Sequence, residues 1–159
     1  MKLMSTEPFE SARLESDPVV SGPGQFDERW AEGGLDIAFT NVERIKRSLL
    51  RAAEMLRERD SLEASHFFLH CVDGLERFLE TVMIARVALK LDFSRIQVDG
   101  LPLSQIESDF TAILSSIVVC QERQDFVGMA DKVEYELLTN LCSWSRALRQ
   151  LQLSRQSNA

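Results

Sequence analysis

The sequence predicts an all-α fold, an antiparallel up-and-down four-helix bundle preceded by a flexible N-terminal tail. Apolar residues recur at alternating steps of three and four in four separate stretches, which places them on one face of a helix in each stretch. The connections between these stretches are mostly short, so consecutive helices are expected to be antiparallel neighbours. No pair of strand patterns competes with the helices.

Composition limits the classes of function. The 159 residues suffice for one domain, and 45% hydrophobic residues supply its core. The 25 acidic and 18 basic side chains give a net charge of -7, which argues against duplex nucleic acid or an anionic membrane as a ligand. The N-terminus lacks a signal-peptide layout, and no 18-residue apolar run stands out. We therefore expect a cytoplasmic protein with no nucleic-acid or membrane ligand.

The three cysteines are predicted to be free thiols. Cys71, Cys120 and Cys142 are an odd number, lie far apart and fall inside helical patterns. They match neither a zinc spacing nor a disulfide framework. Free cysteine is most often buried, which fits a reducing compartment.

Residues 1–34 are predicted to form the flexible acidic tail, and residues 35–159 the bundle. Glycines and prolines interrupt every periodicity in the tail, and its seven acidic against three basic residues carry more than half of the net charge. Such a segment lacks the apolar surface to offset its ordering entropy. The alternative is that part of it packs on the bundle through Phe9, Leu14, Phe26 and Trp30.

The first two helices are predicted at about 35–58 and 61–91. The first follows Gly33-Gly34 with Asp36 as its N-cap, and the second opens on a D-x-x-E capping box of Asp60 and Glu63. The core positions of the first are Ala38, Val42, Ile45, Leu49, Ala52 and Leu56. Those of the second are Ala64, Phe68, Cys71, Leu75, Phe78, Val82, Ala85 and Leu89.

The second helix has the widest apolar face of the four. Val72, Leu79 and Met83 lie beside its main row of core residues, which suits a helix with two neighbours. Gly74 in its interior costs about 1 kcal/mol against alanine. We interpret this glycine as a point of close helix approach.

The segment 91–103 breaks the helical pattern. Asp99-Gly100 is a turn dipeptide, and Pro102 bars backward extension of the next helix, so a short extended piece across the bundle end is expected. Ser104 and Glu107 form an S-x-x-E capping box for a helix at 104–123, and Asp125 is the N-cap of the last helix at 126–154. Their core positions are Leu103, Ile106, Phe110, Ile113, Ile117 and Cys120, then Phe126, Ala130, Val133, Leu137, Leu141, Trp144, Leu148 and Leu151.

One group of residues has the spacing of metal ligands. Glu63, His66, His70 and Asp73 follow one another at steps of three, four and three. By helical angle they lie near the solvent side, whereas metal sites in bundles project inward and draw on several helices. We therefore predict no metal and no cofactor, with these four as weak candidates only.

No catalytic motif stands out, and we predict that the protein is not an enzyme. The sequence contains no nucleophile elbow and no glycine-rich phosphate loop. The carboxylates Asp131, Glu134 and Glu136 point in different directions on a helix. The basic cluster of Arg44, Lys46, Arg47 and Arg51 is typical of the solvated side of an amphipathic helix.

Excess apolar surface is the strongest functional indication. A second apolar row lies opposite the core face of the last two helices: Val127, Tyr135, Leu138 and Cys142 on the fourth, and Val118 and Val119 on the third, with Leu114 on its flank. Asp131 lies beside it. This surface is predicted to be covered by the tail, a second copy of the chain or a partner helix. The alternative is a register error of about 40° that makes these residues ordinary core.

Two resemblances bear on function. The stretch from Gln124-Asp125-Phe126-Val127 through Ala130-Asp131 to Glu134-Tyr135-Glu136-Leu137 resembles a D-[FY]-V-x-x-A-D-x-x-E-Y-E-L helix of uncharacterised bacterial helical proteins, with Val98-Asp99-Gly100 as part of the same pattern. It implies no activity but points to Asp131, Glu134 and Tyr135. More loosely, the architecture resembles the flagellar export chaperones.

The sequence thus predicts a non-enzymatic bundle that binds a protein partner as a chaperone or adaptor, or itself as a homodimer. The competing prediction is a metal- or small-ligand-binding four-helix bundle. Large aromatic residues at the predicted core positions leave little room for an internal ligand, which disfavours it.

Overall fold

A computed structural model describes the backbone of residues 28–58 and 61–157, and the side chains of residues 33–58 and 62–157. Its elements are α1 (Glu28–Arg57), α2 (Ser61–Ala88), β1 (Gln97–Val98), β2 (Leu101–Pro102), α3 (Leu103–Glu122), α4 (Phe126–Asp131), a π-helical segment (Lys132–Leu137) and α5 (Leu138–Gln156). The last three are continuous and together form the fourth helix of the bundle. The predicted all-α bundle of four helices is confirmed.

Helix α1 is the centre of the packing. Its backbone closely approaches α2 on one side and the fourth helix on the other, and the fourth helix in turn approaches α3. Near the start of α1, Asp36 accepts a hydrogen bond of 2.6 Å from Gln152 near the end of α5. At the other end of α1, Arg57 reaches Asp131 near the start of the fourth helix at 2.8 Å. These two helices are therefore antiparallel, as predicted.

The predicted core is confirmed. All the expected core residues of α1 and α2 are buried, and the expected residues of the other two helices are buried or pack half-buried against the same cluster. At the centre, the Trp144 ring packs edge-on against Phe78 of α2 and Phe93, with centroid distances of 5.8 and 5.9 Å. Phe93 comes from the loop after α2 and was not among the predicted core residues.

The start of α1 differs from the prediction. The helix begins at Glu28 and continues through Gly33-Gly34, so Asp36 is an internal residue and not an N-cap. Burial of Leu35 and the hydrogen bond from Gln152 to Asp36 hold this first part of α1 against the end of α5. The proposed tail anchors Phe9, Leu14 and Phe26, and the capping residue Asp60, lie outside the described residues, as does the side chain of Trp30.

The turn at Asp99-Gly100 is confirmed. It connects two strands of two residues each into a β-hairpin, which the sequence did not predict. Asp99 and Gly100 have φ of 53° and 83°, the left-handed values that a type I′ hairpin turn requires. On either side, Gln97 pairs with Pro102 and Val98 with Leu101. The predicted extended piece is therefore a small antiparallel ladder.

The predicted capping box of α3 is wrong. The helix starts at Leu103, and its N-cap residue Pro102 makes no side-chain cap. The backbone amides of Leu103 and Ser104 instead donate to the carbonyls of Ile96 (2.8 Å) and Phe93 (3.1 Å). Carbonyls of the segment before the hairpin therefore satisfy these two amides, and Glu107 pairs with Arg86 of α2 at 3.3 Å.

Two other local predictions are confirmed. Asp125 caps the fourth helix, since its side chain accepts a 2.8 Å hydrogen bond from the backbone amide of Gly128. Gly74 marks a close approach of α1 and α2, because a Cβ there would lie 3.3 Å from Cγ1 of Ile45. Asp125 therefore defines the start of the fourth helix, and Gly74 lets α1 and α2 pack closely.

Phe78→Ala is expected to destabilise the fold by about 3–5 kcal/mol, because the fully buried ring fills the space beside Trp144. Urea denaturation gives the free energy of unfolding. Leu69→Ala, at a half-exposed position of the same helix, is the control and should change it by less than about 1 kcal/mol. A Phe78→Ala effect as small as the control's would contradict the assigned core.

Glu43→Gln is expected to remove a pH-dependent part of the stability. Ser145 of α5 donates a 2.7 Å hydrogen bond to Glu43, and this bond lowers the pKa of the carboxyl below its ordinary 4.5. The stabilisation is therefore present above pH 4.5 and is lost as pH falls through the native pKa. Thermal unfolding across this range should show the gap between wild type and Glu43→Gln closing on acidification. Glu54→Gln, on the exposed side of α1, is the control, and a pH-independent gap would refute the expectation.

Candidate functional site

The helix singled out by the sequence motif contains a π turn. Between Lys132 and Leu137 the helix widens, and the amide of Leu138 donates to the carbonyl of Val133, five residues back. A π turn carries one residue more than a regular turn and recurs at functional sites. It covers the Glu134-Tyr135-Glu136-Leu137 part of the motif, so the segment flagged in the sequence is also the irregular segment of the helix.

Arg57 ties this segment to α1. Its guanidinium donates to Asp131 at 2.8 Å and to Glu134, so one cation bridges two carboxylates on the π turn and the residue before it. These hydrogen bonds raise the pKa of Arg57, and the bond to Asp131 contributes more than the bond to Glu134. Glu136 pairs with Lys132 at 2.9 Å. Asp131 and Glu134 therefore converge on one guanidinium, contrary to the prediction that they point in different directions, whereas Glu136 forms a separate ion pair.

Part of the predicted apolar row packs against the core. Leu138 packs half-buried against the core cluster and Cys142 is half-buried, whereas Val127 and Tyr135 are exposed, Tyr135 by 66%. Leu138 is therefore part of the ordinary core edge, which was the alternative left open by the sequence.

The predicted surface does not form one patch. Two contacts identify the flanks of α3. Cys120 lies near Lys132 and so marks the flank facing the fourth helix, whereas Glu107 pairs with Arg86 and marks the flank facing α2. By helical angle Val118 lies on the α2 flank and Val119 points away from the core. Both are exposed, but Val118 faces away from Val127 and Tyr135. The fourth-helix row and Val118 therefore belong to different surfaces.

Helix α3 is apolar and poorly covered. Contrary to the sequence expectation, it is long and apolar enough, by length and composition, to cross a membrane, the one such helix in the described part of the chain. From Thr111 to Gln121 it carries no charged side chain, and only Ile117 is fully buried there. Its inner side packs on the fourth helix, since Asn140 donates to the carbonyl of Ile106 at 2.9 Å, and its outer side is left uncovered.

The α2 flank of α3 continues into an apolar surface on α2. The backbones of α2 and α3 do not approach as closely as those of the other neighbouring helices, and Arg86–Glu107 bridges them near one end. By helical angle this side carries half-buried or exposed apolar residues from both helices. We name it the α2–α3 face, formed by Leu69, Val72, Leu79, Met83, Leu114 and Val118.

Towards the end of α2 this surface passes into a shallow apolar depression of about 400 Å³, lined by Met83, Ile84, Val87 and Ala88. Leu69 and Val87 were not among the predicted surface residues. The sequence signal for this surface was the wide apolar face of α2, which includes Val72, Leu79 and Met83. This width was interpreted as contact with a second neighbouring helix. The second neighbour is α3, but it covers these residues only in part.

The weak metal candidates do not form a site. His66, His70, Glu63 and Asp73 are all exposed on α2. Within the described residues, no three His, Cys, Asp or Glu side chains are close enough together to hold a metal ion. The cysteines are free, as predicted, and burial raises the pKa of Cys71 to about 11, so its thiol stays neutral at physiological pH.

Arg57 and Glu134 are expected to be energetically coupled, because one guanidinium holds two carboxylates from a neighbouring helix. A double-mutant cycle of Arg57→Gln and Glu134→Gln, read by urea denaturation, should show the double variant losing less than the sum of the singles. Arg95→Gln with Asp92→Asn is the control, since this pair lies within one exposed loop and should be nearly additive. Additivity at Arg57 and Glu134 would show that the bridge does not hold the π segment.

Comparison with known proteins places this architecture in a family. A family model described as "Domain of unknown function (DUF8042)" matches residues 38–147, from α1 into α5, and so includes the Arg57 bridge, the π segment and the α2–α3 face. No curated protein and no solved structure matches the chain. Since the match covers more than half of the sequence, the chain belongs to the DUF8042 family.

Proposed function

We propose that this protein is a non-enzymatic helical bundle of the adaptor or chaperone type, which binds an amphipathic helix of a partner protein on the α2–α3 face. The observation that carries the proposal is the exposure of large apolar side chains on the α2–α3 face: Leu69 is 51%, Val118 49% and Met83 43% exposed. An uncovered apolar surface of this kind is a frequent mark of a binding site. Apolar side chains spaced along two neighbouring helices suit the stripe of a third.

The charges beside this face favour a basic partner. By helical angle Glu76 and Glu80 of α2 and Glu122 of α3 lie along its rim. All three are exposed, and none forms an ion pair with a cation of the described residues. A helix with an apolar stripe flanked by lysine or arginine would complement this rim. The proposed partner is therefore an amphipathic helix with basic flanks.

The same rim disfavours the other occupants. A second copy would bring two acidic rims together, which costs binding energy. Residues 1–27 carry five acidic and two basic side chains and would be repelled in the same way. An anionic bilayer is disfavoured for the same reason, and Glu107 and Asp109 interrupt the apolar surface of α3 near its start. We infer that the protein acts in the cytoplasm on another protein.

Peptide binding tests the proposal. An 18-residue helical peptide with leucines at i, i+3, i+4 and i+7 and lysine flanks is expected to bind the full chain in a fluorescence anisotropy titration. The same peptide with glutamate flanks should bind at least about ten-fold more weakly, since the rim is acidic. Val118→Asp should abolish binding because it puts a charge into the apolar face.

Tyr135→Asp is the matched control, an exposed apolar position outside the α2–α3 face. It should leave peptide affinity unchanged. Equal loss in both variants, or equal affinity for both peptides, would contradict the proposal. So would a homodimer in light scattering that Val118→Asp dissociates, since the face would then bind a second copy.

A further inference from the structure

A polar pocket lies between α1 and α2, on the opposite flank of α2 from the α2–α3 face. It is a depression of about 280 Å³ at the close approach of the two helices, where Gly74 lies against Ile45. Ile45, Phe67 and Gly74 contribute its apolar lining. The pocket thus has an apolar floor and, as described next, a polar rim.

The rim brings hydrogen-bond donors from both helices to one place. Arg44 and Ser48 come from α1, and His70 and Arg77 come from α2. Asn41 also lines the pocket, and its side-chain oxygen accepts a 3.1 Å hydrogen bond from Arg44, which leaves its amide group free to donate. The rim therefore offers two guanidinium groups, an amide, a hydroxyl and an imidazole.

The charge balance of the pocket favours an anion. Neither Arg44 nor Arg77 forms an ion pair with a carboxylate of the described residues, although the protein as a whole is acidic. Cys71 also lines the pocket, but its buried thiol is neutral and adds no charge. Asp73 is the one carboxylate of the lining and opposes an anion. Two fixed positive charges remain against this one negative charge.

We propose that this pocket binds a small organic phosphate monoester. A dianionic phosphate can accept hydrogen bonds from two guanidinium groups at once, which a single carboxylate does less well. The volume is at the small end of ligand pockets, so it suits a phosphate with one ring or short chain resting on the Phe67 side. The open rim lets such a ligand enter without rearrangement of the two helices.

Titration of the full chain with phenyl phosphate tests the proposal, with binding read by calorimetry at constant salt. Saturable one-to-one binding is expected, and inorganic phosphate should bind more weakly because it lacks the ring. Arg44→Gln and Arg77→Gln should each weaken phenyl phosphate binding by about five-fold or more, the loss of a charge-assisted hydrogen bond. Asp73→Asn should strengthen it, since it removes the opposing charge.

Arg47→Gln is the matched control, an exposed arginine of α1 outside the lining, and should leave affinity unchanged. All four positions are exposed, so the variants are expected to fold, and circular dichroism checks this. Absence of saturable binding would overturn the proposal. So would equal weakening by Arg47→Gln and Arg77→Gln, which would indicate general charge attraction, or no strengthening by Asp73→Asn.

Discussion

The packing of Trp144 between Phe78 and Phe93 holds together parts of the chain that are far apart in sequence. Its ring contacts α2 through Phe78 and the loop after α2 through Phe93, while the backbone of its own helix lies against α1 and α3. Because the Phe93 ring is buried in the core, the loop after α2 folds back, and the backbone carbonyl of Phe93 accepts a hydrogen bond from the amide of Ser104. The start of α3 is therefore fixed by the same aromatic cluster that centres the bundle.

Helical periodicity was sufficient to predict this core. Every residue of α1 and α2 that apolar spacing places in the core is buried in the structure, because one face of each helix packs against the rest of the bundle. Asp99-Gly100 and Asp125 were also recognisable, since a type I′ turn and an N-cap depend on local chemistry alone. The tertiary contacts were not recognisable: the hydrogen bonds from the first amides of α3 and the burial of Phe93 depend on residues that meet only in the folded chain.

The presence of exposed apolar residues was predictable from the sequence, but their grouping into surfaces was not. Spare apolar residues on the last two helices were visible in the sequence, and Val118, Val119, Val127 and Tyr135 are exposed. Their arrangement depends on which flank of α3 faces α2, and helical periodicity alone does not give this. The pocket at Gly74 could not be foreseen either, because Arg44 and Arg77 are brought together by the approach of two helices.

Uneven coverage of the four helices connects fold and proposed function. Helix α3 contributes Phe110 to the buried core, but between Thr111 and Gln121 only Ile117 is fully buried, and this stretch carries no charged side chain. Few buried contacts imply that a helix opens locally at lower free energy than its neighbours. Binding of a partner helix would complete the packing of α3.

Native-state hydrogen exchange of the isolated full chain tests this account most directly. We predict that amides in the second half of α3, from Thr111 to Gln121, exchange through local opening at a lower free energy than those in the middle of α1 and α2. Amides beside Trp144 should exchange only with global unfolding. Protection of α3 equal to that of α1 would contradict the account, because α3 would then be a fully integrated helix of the core.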